Sequence, residues 1–88
     1  MEEITLNKFR KETKHKTVKF NFKGRDGSIK YFETNKFYCN PYGSGDFKML
    51  SMPRFGLSRE SKFYKTSDTE FLAVSEFGET SFKVIPCN

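Results

Sequence analysis

Residues 16 to 32 read KTVKFNFKGRDGSIKYF, a cation beside an aromatic or aliphatic residue again and again, interrupted once by RDG. Two arrangements use that pairing. The rings can form a core whose back the lysines solvate, or rings and cations together can grip a ligand that is negatively charged and flat. Single-stranded nucleic acid is such a ligand: cations track its phosphates and exposed rings stack on its bases, each stack contributing about 1–3 kcal/mol. Lys19, Lys23, Arg25, Lys30 and Phe32 supply one such set, and Arg54, Phe55, Arg59, Lys62, Tyr64 and Lys65 a second. Phe55 aside, these are the candidate nucleic-acid-binding residues, with RNA as the preferred partner.

Other chemistries lack their residues. His15 is the only histidine and stands between Lys14 and Lys16. The carboxylates form no evident dyad, and no G-x-S-x-G nucleophile motif occurs. Cys39 and Cys87 with one histidine do not make a zinc site. The expectation is therefore a protein without catalytic residues, metal or cofactor. A ribonuclease built from Lys, Arg and Tyr is the one catalytic class left open, since it needs only charge stabilisation and a proton acceptor. Gly43-Ser44-Gly45 lacks the strand-to-helix context and the following Gly-Lys-Ser/Thr of a phosphate-cradling loop. The RNP motif of an RRM, the GXXG of a KH domain and zinc-finger spacing are all absent. Phe37, Tyr38, Tyr42 and Phe55 cannot all be placed in a core by periodicity, and aromatic and Arg anchors also centre protein interfaces. Direct docking on a protein partner is thus the alternative.

Charge distribution supports a polyanion more than the net value of +5 does. Residues 8 to 65 hold fifteen Lys or Arg against five acids, whereas residues 66 to 88 hold one Lys against Asp68, Glu70, Glu76 and Glu79. Such asymmetry concentrates an attractive field on one part of the molecule. The four C-terminal acids are expected to lie away from the basic surface, since like placement would cancel its field.

These groups must be positioned by a small scaffold. Eighty-eight residues make one domain, 1–88, which buries only about 60–65 % of the surface of its unfolded chain. Eleven Phe and four Tyr supply large buried area at low entropic cost. The stretch TLNKFRKETKHK predicts a short helix with Thr5 as N-cap and Leu6 and Phe9 on one face. Period-two alternation predicts strands over 18–23 and 29–34, joined by GRDG. A two-residue Asp26-Gly27 turn or a four-residue Gly24–Gly27 loop gives the same faces. Val18, Phe20, Phe22, Ile29 and Tyr31 fall on the core side, and Lys19, Asn21, Lys23, Lys30 and Phe32 on the other. Packing of Phe32 beneath the helix is the competing placement for that ring.

Further strands are expected over 47–52, 62–66, 71–76 and 80–85. A three-residue loop at Phe77-Gly78-Glu79 would align Leu72 and Val74 with Phe82 and Val84; a two-residue loop would align Phe71 and Ala73 with the same pair. Both faces of 71–74 are apolar, which suits a central strand covered on both sides. The fold class is α+β: a small, mainly antiparallel β-sheet of about five strands with one short N-terminal helix. No stretch of 18 apolar residues and no signal-peptide run is present, so the expectation is a soluble cytoplasmic chain without membrane contact. Its two cysteines are then free thiols.

The short chain and its Lys/Phe/Asn-rich stretches, such as KFNFK and NKFY, resemble small accessory proteins of T4-like phages. The resemblance implies a counter-defence inhibitor acting in a host cytoplasm, with a host nuclease or toxin as the protein partner. It transfers no functional residue.

Overall fold

The computed structural model describes residues 1–41, 50–52, 57–58 and 60–86. In chain order the elements are β1 (Glu2–Ile4), α1 (Leu6–Thr13), β2 (Thr17–Gly24), β3 (Ile29–Thr34), β4 (Cys39–Asn40), β5 (Leu50–Ser51), β6 (Lys62–Lys65), β7 (Glu70–Ser75) and β8 (Gly78–Ile85). Six strands form one sheet in the order β1-β6-β7-β8-β2-β3, antiparallel at every pairing. The two-residue β4 and β5 pair in parallel as a separate small sheet. The expected class is the one observed, with β1 and β4 added to the strands expected. Of the strand expected over 47–52, Leu50 and Ser51 are strand, Met52 follows them, and 47–49 lie outside the described residues.

Helix α1 forms where its signals place it. The Thr5 hydroxyl accepts from the Lys8 amide at 3.1 Å, satisfying a donor that the first turn leaves unpaired. With 8 residues the helix is too short to persist alone, and packing holds it. Its Phe9 ring lies within 4.8–6.3 Å, centroid to centroid, of Phe37, Phe63, Phe71 and Phe82. The sheet supplies Val18, Phe20, Phe63, Phe71, Ala73, Phe82 and Val84 to this core, and the cover supplies Phe9, Phe37, Cys39, Leu50, Met52 and Leu57. Phenylalanine is therefore the core residue of this protein, as its number suggested.

The β2–β3 hairpin corrects the expected faces. Gly24 and Ser28 close the ladder, with the Gly24 amide donating to the Ser28 carbonyl at 2.9 Å and the Gly27 amide donating to the Gly24 carbonyl at 3.1 Å. The loop is thus three residues, Arg25 to Gly27, and Gly27 takes φ +89°, the conformation glycine adopts at no steric cost. The Asp26 carboxylate accepts from the Ser28 hydroxyl and amide, which holds its carboxyl below the usual value. Side chains alternate with period two, so an odd loop reverses the sides that two or four residues would give. Phe20 faces Phe32, Asn21 faces Tyr31, and Lys23 faces Ile29. Ile29 and Tyr31 consequently lie on the open side, and Lys30 and Phe32 on the covered side.

At the β7–β8 hairpin the two-residue loop, Glu76-Phe77, is the one formed, aligning Phe71 with Phe82 and Ala73 with Thr80. Gly78 is required there by geometry. It has φ +152°, and a Cβ at this position would collide with the Lys23 carbonyl of the neighbouring β2. Leu72 and Val74 stay half-buried on the side of the sheet away from the helix.

Candidate nucleic-acid interface

One sheet face packs beneath α1 and a cover that includes Phe37, Cys39, Leu50, Met52 and Leu57; the other carries the candidate chemistry. Reading the pairings across the open face, one row runs Tyr64, Leu72, Ser81, Asn21, Tyr31 from β6 to β3. The row toward the hairpin tips runs Lys62, Val74, Glu79, Lys23, Ile29. The row toward the other end runs Glu70, Lys83, Lys19, Glu33. Four strand spacings of about 4.8 Å separate the tyrosines at the two ends of the first row, about 19 Å in all.

A shallow groove of about 380 Å³ lies over this face, lined among others by Lys19, Asn21, Tyr31, Leu72, Ser81 and Lys83. Tyr31 is 53 % exposed beside it. Lys19 and Lys83 stand directly opposite each other. Like-charged residues directly opposite each other destabilise a strand pair, a penalty that Glu33 and Glu70 on the flanking strands lessen and an anion between the two lysines would remove. Ring, amide, hydroxyl, two facing cations and the Glu70 carboxylate therefore converge on one patch.

The ten candidates do not share one surface. Lys19, Lys23, Lys62 and Tyr64 meet on the open face, and Arg25 is exposed at the hairpin tip, its amide donating to the Phe77 carbonyl at 3.2 Å. Lys30 and Phe32 are on the covered side; Phe32 is half-buried and stacks on Phe20 at 5.4 Å. Lys65 is also on the covered side, donating to Glu12 at 2.9 Å, and that hydrogen bond raises its pKa. Arg54 and Arg59 lie outside the described residues. Among the protein-docking aromatics, Phe37 is fully buried, Tyr38 accepts from Arg10 at 2.8 Å, and Tyr42 and Phe55 lie outside the described residues.

Tyr31, Ser81 and Lys83 also line the groove, although the sequence puts Tyr31 on the core side and singles out neither Ser81 nor Lys83. The signal that finds Tyr31 is the odd loop length; nothing local marks Lys83, whose partner across β8–β2 is set by the sheet order.

The expected separation of the acids fails. Glu79 faces Lys23, Glu70 faces Lys83, and Glu33 faces Lys19. With the Glu3–Lys62 pair at 3.4 Å, the open face holds four lysines and four glutamates among the described residues. C-terminal acids sit there because β7 and β8 are interior strands of the sheet, between the basic β2 and β6. Cys39 is buried, and burial pushes its thiol up to about 12. Among the described residues no group of His, Cys, Asp or Glu is placed to hold a metal ion, and no helix is long and apolar enough to cross a membrane.

The chain matches no family model, no curated protein and no solved structure.

Proposed function

We propose that the protein binds single-stranded nucleic acid, RNA in preference, without transforming it, and lays the strand across the open face of the sheet. The observation that carries this reading is the groove where exposed Tyr31, Asn21 and Ser81 adjoin the facing Lys19–Lys83 pair. Tyr31 offers a stacking surface, with Tyr64 as a second at the far side of the sheet. Asn21 and Ser81 supply hydrogen bonds to base edges, and the two lysines take a phosphate between them. The action belongs in a host cytoplasm, where the RNA-containing complex inhibits a nuclease or toxin; the resemblance to phage accessory proteins supports that part.

The test is oligonucleotide affinity as a function of salt. Each neutralised phosphate of a single strand contributes about 0.7 to the slope of log affinity against log salt. Four to six contacts give a slope of about −3 to −4, and Lys19→Ala with Lys83→Ala should flatten it by about 0.7. Retained binding with a slope near zero would remove the reading. The purified protein should also carry nucleic acid that a high-salt wash lowers, visible in its 260/280 nm ratio because the chain has no Trp.

A second reading, direct docking on a host protein, is favoured by the charge balance of the open face and by Ile29, 70 % exposed on the edge strand β3. Its mark is a salt-insensitive complex that Ile29→Ala weakens in the absence of nucleic acid.

A further inference from the structure

The end of the sheet opposite the hairpin tips carries a second groove, of about 430 Å³, to which the open-face reading assigns no role. Its walls are Val84, Ile85 and Pro86 from the end of β8; its rim is His15, Lys16 and Thr17 from the α1–β2 connection, Asn35 after β3, and Asp68 and Thr69 from the β6–β7 turn. An apolar wall with a few convergent polar groups, at this volume, is the form of a small-ligand site.

Two further observations concern the rim. Lys14, Lys16 and Lys36 are exposed and make no ion pair among the described residues; Lys19, Lys23 and Lys83 make none there either, but each has a glutamate as a register partner across a strand pair. Lys36 reaches this corner through the fold: the His15 amide donates to the Phe37 carbonyl at 2.7 Å, and the Phe37 amide donates to the Lys16 carbonyl at 3.0 Å. These bonds place 14–16 and 36–37 side by side despite their separation in sequence. The other observation is His15 itself. Lys14 at φ −59°, ψ 127° and His15 at φ +59°, with the Lys16 amide donating to the Thr13 carbonyl at 3.3 Å, form a type II turn. Its third position favours Gly or Asn, and an imidazole there adds backbone strain that the Phe37 bonds hold in place.

We propose that this end groove is a nucleotide site, in which a base lies against Ile85 and Pro86 and is met by Asn35 and Asp68, while its phosphate is held by Lys14, Lys16 and Lys36 with His15. The chemistry of the site selects that ligand class. The wall suits a flat ring, an amide and a carboxylate suit the donors and acceptors of a base edge, and three exposed ammonium groups suit a phosphate. Asp68 is the acid on the rim, and its two carboxylate oxygens match the adjacent imino and amino donors of guanine. Thr17 and Ile85 face each other on the open side, and Thr17 lies two residues, about 7 Å, along β2 from Lys19. A strand lying over Tyr31 can thus continue into the end groove. The continuity rests on the open-face reading, while the nucleotide site stands without it.

The test is titration of the intact protein with GMP, AMP, CMP, UMP and inorganic phosphate, followed by calorimetry and by amide shifts. A saturable nucleoside monophosphate is expected, with shifts at His15, Lys16, Asn35 and Thr69 and with GMP favoured. Lys16→Ala with Lys36→Ala should weaken it about tenfold or more, and Tyr31→Ala should leave it unchanged. His15→Gly should raise the melting temperature, by relieving the positive φ, and yet weaken the nucleotide, an opposition a merely structural residue would not produce. Absence of saturation at millimolar nucleotide, indifference to the lysine pair, or phosphate binding as well as the nucleotide would overturn the site. Oligonucleotide affinity that ignores Tyr31→Ala and Lys83→Ala while GMP still binds would overturn only the open-face path.

Discussion

The two faces of the six-stranded sheet use the same strands and opposite aromatic chemistry. Beneath α1, Phe9, Phe20, Phe37, Phe63 and Phe82 are 0–2 % exposed and pack ring against ring. On the open face the rings are tyrosines, with Tyr31 half-exposed and its hydroxyl available to solvent. Phenylalanine carries no polar atom and is stable dry; tyrosine pairs an apolar body with a polar tip and is stable half-wet. The alternation of rings and cations in 16–32 therefore encodes a core on one side and a surface on the other, and the ring type tells which.

The largest effect should come from breaking the covered face. Phe9→Ala or Phe20→Ala should cost about 3–5 kcal/mol of folding free energy, measured by thermal or urea unfolding, because each leaves a cavity among rigid neighbours. Nucleic-acid affinity of whatever remains folded should be unchanged. On the open face the converse holds. Tyr31→Ala should cost about 1–3 kcal/mol of single-strand binding and no more than about 0.5 kcal/mol of stability. A Tyr31 variant that melts early but binds normally would collapse the distinction between the faces.

Phe32→Ala sharpens the comparison, because the hairpin register moves this ring from the open face to the covered one. It should cost about 1–2 kcal/mol of stability through lost burial and lost stacking on Phe20, with affinity unaffected. Cys39 tests how dry the covered side is. The unfolded thiol ionises near pH 8.5, and the buried one only at about 12. Its contribution is thus fully present below the unfolded value and declines as pH rises toward 12. Relative to Cys39→Ala, the native protein should lose about 1 kcal/mol more between pH 8 and pH 9.5 in paired unfolding curves. The smallest effect concerns Lys65, which serves Glu12 on the covered side. Lys65→Ala should lower the melting temperature, since Glu12 Oε2 is already buried without a hydrogen-bond partner among the described residues, and leave single-strand affinity where it was.

Local signals were sufficient wherever a residue's role depends on its near neighbours. Thr5 reads as an N-cap and acts as one; Phe9 reads as the inner face of a short helix and lies at the centre of the core. The turn at 24–28 is marked by its glycines and aspartate, and the strands on either side by alternation. The site was less legible. Lys19, Lys23, Lys62 and Tyr64 are on the open face as grouped from sequence, but Lys30, Phe32 and Lys65 are on the other side. Tyr31 and Lys83 complete a groove in which neither was expected.

The sequence by itself determined the class of fold, the inward placement of Phe9 and Phe20, the position of each turn within a residue or two, and the excess of cations before residue 66. These follow from periodicity, capping and composition, which act over a few residues. Tertiary structure alone decided which side each β3 residue faces, because one residue of loop length reverses a period-two pattern. It decided that Glu70 and Glu79 temper the lysines of β8 and β2, because the meander of β6, β7 and β8 inserts β8 beside β2. It also brought Lys36 against Lys14, His15 and Lys16, through two backbone hydrogen bonds to Phe37 that no local pattern in the chain announces.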